Sequence, residues 1–364
     1  MSRRYAVAMA LLAMSLVAPM SVAPIGVAAQ QFTPRGHDIT LVIGAPGTSD
    51  FAEQFARWAG RWRGIAERGE IEMEVIGETE SNKSDYEILR SRVSSWNDPG
   101  TTHWIVFIGH GTHREGESKF NLRGPDVRAS ELAKWLNVTQ IDASELQRNA
   151  PMVIVNCSSS SGPFVNALSA PGRVVVTATA SASEHNFARF GDYFSEAMLS
   201  LESDLDHDHE ISVLEAFLRA SKQTQRFYES EARIATEHAL IDDNGDALGT
   251  RAKAFRGTRV IANAKGDTDI DGQLARRIAL PMGIDGQTQP LSDAQSVTRD
   301  RIEIQIETLR RRKHEMAEVT YYDEFELLML ELAQIYQAAS QEQQGSREHD
   351  GGDAVTPAKA SDQE

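Results

Sequence analysis

The sequence predicts an α/β protein with a mostly parallel central sheet flanked by helices, followed by a C-terminal α-helical hairpin. Three observations predict it. Short apolar runs rich in β-branched residues recur at His37–Ile43, Trp104–Ile108, Met152–Val155 and Arg173–Ala178. Runs of that kind, bounded by turn residues, read as buried strands. Segments with helical apolar spacing lie between them, and such alternation gives a parallel sheet covered on both faces. Beyond residue 291 two helical segments follow with no strand between them, which is the pattern of an αα-hairpin.

The elements follow in chain order. Met1–Ala29 has the design of a secretory signal: Arg3 and Arg4 at the start, an apolar middle from Ala6 to Val17, and the small residues Val27-Ala28-Ala29 at a cleavage site. Residues 30–290 form the α/β domain. His37–Ile43 opens it, and Gly44-Ala45-Pro46-Gly47 turns the chain without the Lys-Ser/Thr of a phosphate loop. Ser49–Ala66 carries Phe51, Phe55, Trp58, Ala59 and Trp62 at helical spacing. Ile71–Ile76 alternates apolar and polar and reads as a strand. Ser84–Trp96 reads as a helix, broken by Asn97-Asp98-Pro99-Gly100. Thr112–Lys119 is polar and reads as a surface loop, Phe120–Val127 as extended chain, and Ser130–Leu136 as a short helix. Val213–Leu240 reads as one long helix, and the Gly-rich stretch from Asn244 to Gln289 as loops. The hairpin occupies 291–340. It opens with a Ser292/Gln295 capping box, and its first helix ends near the basic run Arg310–Lys313. Residues 341–364, rich in Gln, Gly, Asp and Ser, read as a disordered tail.

Composition narrows the function. The chain of 364 residues carries 37 Lys and Arg against 53 Asp and Glu, a formal charge of −16. Removing the leader with its two arginines makes the remainder more acidic still. This balance argues against nucleic acid and anionic membrane surfaces as partners and fits peptide substrates or divalent ions. No run outside the leader is long and apolar enough to span a bilayer. A single cysteine permits no internal disulfide.

That cysteine, Cys157, directly follows the apolar run and Asn156, and precedes Ser158–Ser161 and Gly162. The run Trp104–Ile108 ends in the same way, on Gly109, His110 and Gly111. One strand end presents a thiol and the other an imidazole, at the sheet edge where open α/β sheets bind ligands. A thiolate can attack a peptide carbonyl, and an imidazole can take or give the proton. His113 is the substitute base on the same loop, and Ser158–Ser161 hold alternative hydroxyls that would need a close base.

An apolar strand ending in His-Gly, then an apolar strand ending in Cys, resembles the caspase-like cysteine peptidases. That class includes legumain-type asparaginyl endopeptidases, caspases and gingipains. The resemblance spans roughly His37 to Ser200, and the chain as a whole looks most like bacterial exported members of the class. It implies a caspase-like fold and a periplasmic or secreted cysteine endopeptidase acting on peptide or protein substrates. Cys157 would then be the nucleophile, His110 the general base or acid, and Gly111 an oxyanion donor, with no catalytic cofactor. The alternative is a catalytically inactive caspase-like module that binds peptides or scaffolds an assembly.

A further motif lies at Asp204–Glu215, D-L-D-H-D-H-E-I-S-V-L-E. Asp204, Asp206, Asp208, the Glu210 carbonyl, Ser212 and Glu215 fall at the ligand positions of an EF-hand-type calcium loop, with His209 where glycine is usual. Structural calcium, a transition metal held by His207 and His209, and an acidic cap on the following helix are the three readings. Asp242–Asp246 has no matching distal glutamate and reads as a tight turn.

Overall fold

The computed structural model describes residues 36–96, 98, 100–138, 150–208, 210–261, 270–280 and 291–350. The expected leader, His209 and the end of the tail from 351 lie outside the described residues. Strand β1 (Gly36–Ile43) leads through α1 (Ser49–Arg68) to β2 (Glu72–Ile76), and α2 (Asp85–Ser94) carries the chain to β3 (Thr101–Ile108). A small antiparallel sheet follows, made of β4 (Gly111–Arg114), β5 (Glu117–Phe120) and β6 (Val127–Arg128). Then come α3 (Ala129–Val138), β7 (Met152–Asn156), α4 (Pro163–Leu168), β8 (Arg173–Thr177) and α5 (Phe190–Ala197). Helix α6 (Val213–Ser230), β9 (Leu240–Asp242) and a short pair, β10 (Phe255–Arg256) with β11 (Arg259–Val260), complete the α/β part. The hairpin is α7 (Asp293–Arg311) and α8 (Glu318–Asp350).

The main sheet has the order β2-β1-β3-β7-β8-β9, parallel except for β9. Winding reverses between β1 and β3, so helices cover both faces. Strand alternation sorts the core accordingly. Leu41, Trp104, Val106, Val153 and Val155 meet Trp58 and Trp62 of α1, Phe194 of α5 and Phe217 of α6. Val42, Ile105, Phe107 and Ile154 meet Leu89 of α2, Leu132 of α3 and Phe164 of α4. Registers bring the C-terminal strand ends together: Ile43 lies opposite Ile108, Phe107 opposite Asn156, and Asn156 opposite Thr177. The sheet edge expected to form a cleft is therefore one edge, at the reversal point where doubly wound sheets place ligands.

Three expected elements differ. The stretch Thr112–Lys119 is a β-hairpin rather than a loop. Its turn residues Glu115 and Gly116 both have positive φ, 57° and 82°, as a two-residue primed turn requires. A glutamate there gives no such signal in sequence. Helix α6 stops at Ser230 instead of reaching Leu240. Ala232 adopts φ 50°, Ala232 N–H returns to Glu229 O at 3.1 Å, and Arg233 N–H returns to Tyr228 O at 2.9 Å. That paired closure normally uses glycine, so an alanine concealed the helix end. The freed chain supplies β9. Helix α8 continues to Asp350, through the first part of the segment read as disordered.

The hairpin docks through α7. Ile302, Ile306 and Leu309 are buried, and the Arg299 guanidinium reaches Glu210 at 2.5 Å and Asp208 at 3.5 Å. Among the described residues no helix is long and apolar enough to cross a membrane.

The turn after β9 stores buried charge. Asp243 accepts N–H groups of Gly272 and Ala275 at 2.7 and 2.8 Å, while Asp242 accepts the Ser169 hydroxyl at 2.9 Å and its Oδ2 finds no hydrogen-bond partner among the described residues. Burial pushes the Asp242 carboxyl up to about 6 and that of Asp243 up to about 7. Folding thus favours the protonated acids, and their contribution is lost as pH rises from about 4 through 7. Asp242→Asn keeps the bond to Ser169 and removes the buried charge. It is expected to stabilise the protein by about 1–3 kcal/mol at pH 8 and to change little at pH 4. Paired urea titrations at the two pH values measure this.

Candidate functional site

His110 follows β3 directly and is half-buried. Its Nε2 lies 3.2 Å from the Pro46 carbonyl, which follows β1, so the ring bridges the two strands at the reversal point. Phe51 meets it edge-on at 4.6 Å between centroids, with Phe55 at 5.3 Å and Phe187 at 5.9 Å. The last of these comes from the loop after β8. His110 O accepts Asn121 N–H at 3.0 Å, tying the start of β4 to the end of β5.

Cys157 continues the alternation of Val153 and Val155 and points into the same α1/α5 side of the core. It is only 2% exposed. Its backbone N–H donates to Phe107 O at 3.0 Å, extending the β3–β7 ladder by one bond. A Cβ built on Gly191 would lie 2.6 Å from Cys157 Cβ, 2.9 Å from Sγ and 2.8 Å from Trp58 Cζ3. The sulfur is therefore roofed by the start of α5 and an indole of α1. Burial pushes the thiol well above its usual range, and the nearby Glu237 carboxylate adds to the effect. A nucleophilic cysteine needs the opposite: a positive neighbour and access. No hydrogen bond joins Cys157 to His110.

Two serines of this loop reach the His-Gly segment: Ser158 packs on Gly111, and Ser159 hydrogen-bonds its backbone. Gly111 N–H points to Ser159 Oγ at 3.4 Å, and that hydroxyl donates to Gly111 O at 3.1 Å. Gly111, the expected oxyanion donor, thus faces a serine instead of the thiol. The other hydroxyls are committed within the fold. Ser158 donates to Asn156 Oδ1 at 2.6 Å, Ser160 donates to Ala182 O at 3.0 Å, and Ser161 pairs with Thr179 at 3.1 Å. Ser160 has φ 53°, and its N–H donates to Glu184 O at 2.8 Å. Gly162 admits the neighbouring loop so closely that a Cβ there would stand 2.5 Å from Ala180 C. The serine loop and the loop after β8 therefore interlock. His113 lies on β4 opposite Ser118, with Nδ1 3.0 Å from Ser118 Oγ, and Ser118 donates on to Ser160 O at 2.9 Å.

Sequence reasoning missed two carboxylates that shape this edge. Glu184 accepts Ala180 N–H at 2.7 Å and lies 2.7 Å from His238 Nδ1. Glu237 accepts N–H groups of Arg189 and Phe190 and the Tyr228 hydroxyl, at 2.9 to 3.0 Å. Burial raises the Glu237 carboxyl. No spacing in the sequence marks either one, because Glu184 meets His238, and Glu237 meets Arg189 and Phe190, only once segments about 50 residues apart fold together.

The acidic loop before α6 gathers carboxylate oxygens of Asp204, Asp206 and Asp208 within 4.8 Å of one another. Asp204 accepts Asp208 N–H at 3.2 Å, and Asp208 accepts Glu210 N–H at 2.9 Å. Glu215 closes a capping box with Ser212 and also accepts Leu205 N–H at 2.7 Å. Beside Ile211 a short β bridge joins Ser212 to Ala279. The Glu210 side chain goes to Arg299, which leaves its carbonyl as the group an ion would use.

No protein-family model matches this sequence, and no curated protein matches it. Among solved structures, the chain is similar to the Drosophila initiator caspase Dronc, at 16% identity over 61% of this chain and 84% of that one, with a TM-score of 0.40. It is also similar to caspase-1 from Spodoptera frugiperda, at 8% identity over 59% of this chain and 88% of that one, with a TM-score of 0.38.

The roof over the sulfur has a direct test. Gly191→Ala must push on Cys157 and Trp58 and is expected to cost about 1–3 kcal/mol. Combining it with Cys157→Ala removes the sulfur contact and should recover part of that loss. Denaturant unfolding of the four-member cycle gives the coupling.

Proposed function

We propose that this chain is an exported caspase-like module that binds peptides without hydrolysing them through Cys157. The carrying observation is the sealed sulfur: 2% exposed, roofed by Trp58 and Gly191, and beside a carboxylate that opposes thiolate formation. Peptide hydrolysis by a Cys/His pair needs a thiolate within reach of a substrate carbonyl. Ser159 offers no substitute, since its hydroxyl bonds the Gly111 backbone and not an imidazole. What remains is a sheet edge with interlocked loops and a half-buried imidazole set among three phenylalanines, a surface suited to holding a chain segment. The apolar leader read from the sequence supports export.

Labelling with iodoacetamide between pH 6 and 9 tests the reading. Native Cys157 is expected to react at least about 100-fold more slowly than the urea-unfolded chain, and a pooled peptide library is expected to remain uncleaved. A native thiol that reacts below the ordinary thiol range, slows in His110→Ala and accompanies peptide turnover would establish the peptidase instead.

For the acidic loop, the proposal is a structural calcium ion held by Asp204, Asp206, Asp208, the Glu210 carbonyl and Glu215. Its support is the ligand spacing together with the convergence of three carboxylates. Millimolar calcium is then expected to raise the melting temperature by several degrees, and Asp206→Asn to abolish the shift. Equal melting with calcium and with a chelator removes the ion from the account.

A further inference from the structure

A groove of about 810 Å³ runs beside α6, between that helix, the segment leading into β9 and the segment around β10. Its volume lies within the range of about 300–1,000 Å³ common for ligand sites. The lining contains exposed Lys222, Arg233, Arg251 and Lys253, and among the described residues none of these four side chains has an ion-pair partner. The carboxylates that share the groove are mostly committed. Glu202 holds Arg219 at 2.5 Å, and Glu237 is bound to backbone N–H groups and a tyrosine. The third carboxylate, Glu229, accepts the Gln225 amide at 2.7 Å, so cations still outnumber acids along the groove, on a chain whose formal charge is −16.

One further feature points to a chain segment rather than a small anion. Residues 234–237 belong to no helix or strand and show no backbone–backbone hydrogen bond among the described residues, while Ile234 is 90% exposed. Backbone groups without partners in the fold are what an added peptide strand pairs with. Leu218, Tyr228 and Phe255 supply apolar wall for alternate side chains.

We infer that this groove binds an acidic peptide in extended form. Its carboxylates would meet Lys222, Arg233, Arg251 and Lys253, and its backbone would run along residues 234–237. The inference rests on the peptide-binding reading and locates its surface. The two fail separately, because thiol protection and absence of turnover do not involve the groove.

The test uses the mature full chain and a fluorescein-labelled ten-residue peptide alternating Glu with Leu, read by anisotropy. Binding is expected to weaken at least about tenfold from about 50 to about 300 mM NaCl, and about tenfold or more in the exposed double variant Lys222→Glu/Arg251→Glu. Lys134→Glu, on α3 across the sheet, is expected to leave it unchanged, and matched melting curves verify that the variants fold. Any of four results overturns the inference: equal binding of a Gln/Leu peptide, unchanged affinity in the double variant, displacement by millimolar inorganic phosphate, or equal binding of a single-stranded oligonucleotide.

Discussion

Alternation along β7 is the constraint from which the chemistry of this chain follows. The strand lies between β3 and β8 and is buried on both faces, so its side chains have only two directions available. Val153, Val155 and Cys157 share one of them, and the ladder bond from Cys157 N–H to Phe107 O holds the cysteine in strand register one residue past the nominal end. The thiol is thereby delivered into the α1/α5 core, although it stands at the edge where ligands are usually met. Asn156 takes the opposite direction, and its carboxamide oxygen receives both the amide and the hydroxyl of Ser158. That turn lifts the chain out of the sheet and presents Ser159 to Gly111. Position in the sequence and position at the site are offset by the residues the turn consumes.

The edge itself is held by buried carboxylates. Glu184 fastens the loop after β8 to the segment entering β9, Glu237 fastens that segment to the start of α5, and Asp243 fastens the β9 turn to residues 272–275. Each accepts backbone N–H groups that have no other use in an irregular loop, and unsatisfied buried amides are costly. In a chain whose single cysteine permits no internal disulfide, these bonds join segments that a cross-link would otherwise have to join. The raised carboxyl pKa values of Glu237 and Asp243 measure what burial costs these anions even with their hydrogen bonds made.

Most of the fold was legible because it depends on local pattern. The apolar runs became β1, β3, β7 and β8, the Phe55/Trp58/Trp62 stripe became the buried face of α1, and the Ser292/Gln295 box opens α7. His110 and Gly111 were legible as a strand exit for the same reason. The direction of Cys157 was also present in the sequence, since Val153, Val155 and Cys157 are spaced two apart. Reading the cysteine as loop instead of as the last strand position hid it. The rest was not legible because non-glycine residues with positive φ, Glu115 and Ala232, close a hairpin and end a helix without the usual punctuation. Ser159, Glu184 and Glu237 acquire their meaning from partners far along the chain.

Internal use of acid also bears on the outer surface. Glu184, Glu215, Glu237, Asp243 and Asp271 direct their charge to backbone N–H groups, and Asp242 faces a serine hydroxyl. Acids occupied in this way do not pair with lysine or arginine, so a formal charge of −16 overstates how evenly negative the surface is. The cations left over need not scatter. Along the groove beside α6 the segment that contributes Arg233 also contributes Glu237, and the same hydrogen bonds to the α5 amides that fix the loop engage that carboxylate. The excess of cations over free carboxylates there is a by-product of how the sheet edge is fastened, and it persists wherever that fastening does.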